Sequence, residues 1–213
     1  MQQVIRDFPN KWWSLSQEWP LCYYLNRSLK IFVSRHTREE SKGLRWLHIS
    51  DIHYYPNMDG TSTEQLRDTL LPYLQSLDEH VDQVFVTGDY RDASQQKDTD
   101  TVAAAAAQFI REIAAAVGVA DPTNIHLVPG NHDLNKCQTD KSRVRLSNII
   151  ANFDVDKGVF AEKDQSFLLN RFSFFKKVDK CLHPAGSVWQ ATPMPLHAYQ
   201  CFDGYSLIFL NTA

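Results

Sequence analysis

The chain has few cysteines, few glycines and no long apolar run, and each shortage excludes a class of protein. Four cysteines in 213 residues stand at 22, 137, 181 and 201, and no CxxC pair occurs. That spacing argues against a zinc ribbon, a redox motif or a disulfide framework. Scattered buried thiols fit a reducing compartment, so the cytoplasm is the expected location. With 8 glycines and 9 prolines the composition is neither collagen-like nor linker-like. No apolar stretch approaches the ~18 residues that span a bilayer, and Asp7 and Pro9 interrupt the segment where a leader's apolar stretch would lie. No membrane association is expected. A strong excess of one charge is missing too, since the net charge is −3. Residues 1–45 carry 8 basic and 4 acidic side chains, and the remainder carries 14 and 21. The main body is therefore acidic, unlike the basic footprint of most nucleic-acid-binding domains.

Aromatic residues are plentiful: 12 Phe, 8 Tyr and 5 Trp can fill a sizeable core. Trp12, Trp13 and Trp19 lie among polar residues between Pro9 and Pro20. Behind them Leu21, Tyr24, Leu25, Leu29 and Phe32 give a weak helical stripe, and the charged stretch 34–43 reads as a linker. Residues 1–43 thus form a Trp-rich, basic extension, expected to pack loosely on the body and able to offer a protein partner a surface.

From residue 44 the pattern changes. Apolar runs at 44–50, 81–87 and 124–128 predict buried strands. Between them lie two helical patterns. The first starts at a capping box, with Thr61 as N-cap and Glu64 at N3, carries Leu66, Leu70, Tyr73, Leu74 and Leu77 on one face, and is disturbed by Pro72. The second starts near residue 98, carries Val102, Phe109, Ile110, Ile113 and Val117, and closes at Gly118. The alternation predicts an α/β fold with a parallel βαβαβ unit. Further helices are expected over 142–153 and 164–182, and Asp203-Gly204 between two apolar runs predicts a hairpin.

Each predicted strand ends in a polar cluster: Asp51-Ile52-His53, then Gly88-Asp89-Tyr90-Arg91-Asp92, then Gly130-Asn131-His132-Asp133. Ligands of such sheets bind outside the strands' carboxyl ends, so the three clusters converge on one edge. Carboxylates, an imidazole and an amide oxygen together suit a divalent cation such as Mn²⁺, Fe²⁺ or Zn²⁺. Asp133 reads as a loop or helix cap, and His48 and His126 as packing residues. Arg91 reads either as a phosphate contact or as a solvated charge.

These motifs, DxH, GDxxD and GNHD in this order, resemble the signature of the calcineurin-like metallophosphoesterase superfamily. The resemblance implies a β-sandwich flanked by helices, with residues 44–213 as the phosphoesterase domain. It implies two divalent metal ions, Mn²⁺ foremost with Fe²⁺ or Zn²⁺ as alternatives. Asp51 and His53 would bind the first ion, Asp89 would bridge, and Asn131 would bind the second. A bridging hydroxide would attack phosphorus, and His132, oriented by Asp92, would assist the leaving oxygen. Ala93-Ser94 and Asp133 depart from protein Ser/Thr phosphatases, and His132 departs from lipid A pathway pyrophosphatases. The pattern is most similar to bacterial phosphodiesterase-like members, which implies a phosphoester substrate, a nucleotide or nucleic acid included. The family's later histidines, a GHxH pair among them, have no counterpart here, since His183 and His197 precede the final strand and read as loop residues. The expectation is therefore a domain lacking its C-terminal part, with weak metal binding and little turnover. The alternative is a catalytically inactive fragment serving as a binding or regulatory module.

Overall fold

The computed structural model describes residues 21–25, 29–33, 43–54, 63–78, 80–92, 99–136, 139–153, 160–191, 195 and 197–211. Trp12, Trp13, Trp19, Thr61 and the expected linker over 34–42 lie outside the described residues. A five-stranded sheet runs in chain order through β1 (Leu21–Leu25), β2 (Leu29–Val33), β3 (Trp46–Ser50), β4 (Gln83–Thr87) and β5 (Ile125–Val128). β3, β4 and β5 are parallel, whereas β1, β2 and β3 pair antiparallel. Helix α1 (Thr63–Ser76) connects β3 to β4, and α2 (Thr99–Ala116) connects β4 to β5. The expected βαβαβ unit is present.

Alternation along the three parallel strands decides which face is which. Leu47, Val84 and Ile125 stand in one register row, and Ile49, Val86 and Leu127 in the next. All six are buried, and the core beyond them contains Leu70 and Leu74 of α1 and Phe109, Ile110 and Ile113 of α2. The opposite face carries Trp46, His48, Phe85 and His126. Over it lies a second sheet, the antiparallel hairpin β6 (His197–Phe202) and β7 (Tyr205–Leu210), turning at Asp203-Gly204 as the sequence predicts. His126 meets Phe209 and Phe202 edge-on or tilted, at ring-centroid distances of 5.7 and 5.6 Å, and Phe209 also touches Trp189. A hollow of about 310 Å³, lined by Trp46, Phe85, His126, Leu207 and Phe209 among others, remains between the sheets. No helix among the described residues is long and apolar enough to cross a membrane.

Three local expectations need correction. The helical stripe at 21–32 is two strands, and β2 is hydrogen-bonded to β3, so loose packing does not describe residues 29–33. The helix expected over 164–182 is two helices, α4 (Glu162–Asn170) and α5 (Ser173–Leu182), following α3 (Asp140–Ala151). The break has a cause: Asn135 N–H donates to the Arg171 carbonyl at 2.7 Å, and Arg171 Nε returns a bond to the Asn135 carbonyl at 3.1 Å. Finally, His183 is no loop residue but the buried C-cap of α5, and His197 lies in β6.

Candidate metal centre

The three polar loops meet where β3, β4 and β5 end. Backbone bonds lace the first to the second: Asp51 N–H donates to Gly88 O at 3.3 Å, His53 N–H to Asp89 O at 2.8 Å and Tyr54 N–H to Tyr90 O at 2.9 Å. This lacing needs sharp reversals. Asp51, His53 and Asp89 adopt left-handed φ of 59°, 45° and 56°, and the one other described non-glycine residue with positive φ is Asp78. Such conformations are costly for L-residues, and they concentrate at sites where a side chain must point in a fixed direction.

The second and third loops approach still more closely. A Cβ on Gly130 would lie 2.4 Å from both the backbone N and Oδ1 of Asp89, and one on Gly88 would lie 2.5 Å from Gly130 Cα. Only glycine allows that approach. The contact is closed by His132 N–H, which donates to Asp89 Oδ1 at 2.9 Å. Asp133, fully buried, accepts N–H bonds from Asp89, Tyr90 and Gly130 at 3.0, 2.9 and 2.8 Å. Burial pushes its carboxyl up to about 7, against these bonds, which favour the anion. Its geometry is that of a cap over both loops.

One ligand atom each from His53, Asp89 and His132 lie within 4.8 Å of one another. The two rings meet edge to face with centroids 4.7 Å apart. Asp51 is close, its Oδ1 being 3.9 Å from His53 Nε2, and its Oδ2 accepts from Ser50 Oγ at 2.5 Å. Asp51, Asp89 and Asn131 line a cleft of about 460 Å³ together with Ser50, Thr87 and Gly130. Asn131 is exposed and Asp92 half-buried.

The donor set fits a divalent cation. His53 Nδ1 and His132 Nδ1 are buried and have no hydrogen-bond partner among the described residues. A buried polar atom left unpaired is costly, and two of them beside a carboxylate are what a borderline metal would complete.

Sequence reasoning missed Arg91. Neither a phosphate contact nor a solvated charge, it is fully buried, with its guanidinium 4.3 Å over the Phe174 ring and Nε bonded to the His132 carbonyl. No local signal in the sequence marks it; in the structure a bridge between Tyr54 and Arg91 prolongs β-type pairing past the strand ends. His126, read as a packing residue, does pack, and it also bonds Gln83 Oε1 at 2.5 Å.

Residues 44–200 match the family of calcineurin-like phosphoesterases. The chain is also similar to the uncharacterized metallophosphoesterase-like protein YydB of Bacillus subtilis (strain 168), at 31% identity over 99 residues. Those residues are 45% of this chain and 19% of that protein, so the chain spans about a fifth of the length of the curated relative. No solved structure matches. The strand-end loops and the matched span lead to one conclusion: the chain belongs to the calcineurin-like phosphoesterase family.

Proposed function

We propose that the protein is a metal-dependent phosphoester hydrolase whose centre holds two divalent ions, Mn²⁺ foremost, and whose substrates are phosphodiesters, nucleotides or nucleic acid among them. Metal binding is supported by the convergence of His53 and Asp89, with a buried His53 nitrogen unpartnered among the described residues, and phosphoester hydrolysis by the family match over residues 44–200. Asp51 and His53 would hold one ion, Asp89 would be shared, and Asn131 would hold the second. When bound, such a pair lowers the pKa of water and neutralises charge on the phosphoester oxygens. Asp89 is suited to a shared role because its backbone is fixed from both neighbouring loops. His132 would deliver a proton to the leaving oxygen from its ring, and Asp92 would orient it. Cytoplasmic residence belongs to the proposal too, supported by free thiols at Cys181 and Cys201.

A second reading is favoured by the cluster itself. Because His132 sits within ligand distance of His53 and Asp89, the centre would hold one ion, with His132 as a ligand. Calorimetric titration with Mn²⁺ separates the two. The first reading expects two ions per chain and binding retained in His132→Ala, with slow, chelator-sensitive cleavage of a bis-aryl phosphodiester. The second expects one ion, lost in His132→Ala. Asp89→Asn weakens binding by about tenfold or more in either case. A wild-type chain that binds no Mn²⁺ overturns both.

A further inference from the structure

The loops after β4 and β5 each bury one ionisable side chain in the other. Arg91 leaves the β4 loop and is fully buried. Its Nε donates to the His132 carbonyl at 3.2 Å, and Nη2 donates to Asn135 Oδ1 at 2.9 Å and, more weakly, to the Asp133 carbonyl at 3.5 Å. Asp133 leaves the β5 loop, also fully buried, and its carboxylate takes the N–H groups of Asp89 and Tyr90. Removing a guanidinium and a carboxylate from water is expensive, and apolar contacts join loops at lower cost. What the charged pair adds is direction. A guanidinium presents donors in a rigid planar fork, which a lysine ammonium does not. The bonds fall on the backbone of the residues whose side chains form the donor cluster: Arg91 holds the carbonyl of His132, and Asp133 holds the N–H of Asp89.

We infer that Arg91 and Asp133 form a reciprocal clamp that sets the distance between the Asp89 carboxylate and the His132 ring, Arg91 being a positioning residue of the metal centre. The inference rests on the proposal that this centre binds metal. Arg91 touches neither substrate nor ion; it acts through His132.

Arg91→Lys keeps the buried charge and removes the fork. In calorimetric titration of the whole chain with Mn²⁺, affinity should fall about 10- to 100-fold, as for partners that orient metal ligands. Ile113→Val, in the helix layer, should lower thermal stability and leave the affinity as in wild type. Asn135→Ala withdraws one acceptor from Nη2 and keeps the guanidinium and its Nε bond to the His132 carbonyl, so it keeps the question decidable if Arg91→Lys does not fold; a smaller fall in affinity is expected. Lowered stability with unchanged Mn²⁺ affinity in the folded variants overturns the clamp and leaves Arg91 as a packing residue. If the wild type itself binds no Mn²⁺, the metal proposal fails separately. The clamp is then decided by the histidine ring ¹⁵N resonances of the metal-free chain. Those of His132 should move in Arg91→Lys while those of His126 stay, and unmoved His132 resonances overturn it.

Discussion

His126 and His183 are both buried, one on β5 and one at the end of α5, and they titrate in opposite senses. His183 Nδ1 lies 2.9 Å from Asp179 Oδ1, and Nε2 lies 2.9 Å from the Ile125 carbonyl and 3.1 Å from the Pro122 carbonyl. Acceptors on both nitrogens favour the imidazolium. Burial alone would lower its pKa, but the hydrogen bond and charge of Asp179 and the two carbonyls outweigh burial, and the pKa is raised above 6.5. Its stabilisation is complete below 6.5 and is lost as pH rises through the raised value. His126 is depressed to about 4, by burial first and by the charge of His183 second. Its contribution is present above 6.5 and is lost as pH falls toward about 4. Thermal stability should therefore fall as pH rises above 6.5 and His183 loses its proton; toward acid, the loss at His126 is opposed by Asp133, whose carboxyl, raised to about 7, favours the folded chain as pH falls. His183→Gln should cost about 3 kcal/mol, because it uncouples the buried Asp179 carboxylate, and should flatten the alkaline limb; an unchanged alkaline limb contradicts the account. The three polar clusters were legible because spacing put them where the parallel strands end. His183 and Arg91 were not, because burial of a charge depends on partners distant in sequence, and no local periodicity marks it.

At the scale of elements, α1 carries its own fault. Pro72 stands inside a 14-residue helix on an exposed position. It lacks the N–H that would bond four residues back, and its ring crowds that carbonyl. Pro72→Ala should stabilise the chain by about 1–3 kcal/mol, seen as a higher midpoint in thermal unfolding, with the sheet unaltered. A lower midpoint would mean that the distorted helix is required by its packing on α2. The parallel strands and their two helices were readable because apolar runs and 3.6-residue stripes alternate cleanly. The segment 21–33 was not: Leu21, Tyr24 and Leu25 mimic a helical period, but aromatic and β-branched residues such as Tyr23, Ile31, Phe32 and Val33 suit a pleated surface. Pairing to the free edge of β3 outweighs the weak stripe. The break between α4 and α5 was invisible for a similar reason, because its cause, Asn135, lies in another loop.

At the scale of the molecule, the two sheets are joined through few side chains. Phe209 is 4% exposed and rests on His126 and Trp189, whereas Tyr199 and Ile208 on the hairpin's outer side are each 74% exposed. Phe209→Ala should cost about 3–5 kcal/mol and release hairpin amides to hydrogen exchange while those of β4 stay protected. Equal loss of protection in both would show that the sheets unfold as one unit. The first sheet has a property of another kind. Spatial order β1-β2-β3-β4-β5 is the order of synthesis, so each strand emerges from the ribosome beside a neighbour already made. No strand of this sheet pairs with one made later than its immediate successor, although the parallel pairings, Trp46 with Gln83 and Val84 with Ile125, each close a loop of a helix and its turns. Because α3 follows the third polar loop, a nascent chain emerged through α3 contains all three strand-end loops before the hairpin exists, whereas Phe174, which packs on Arg91, and Arg171, which bonds Asn135, are made later.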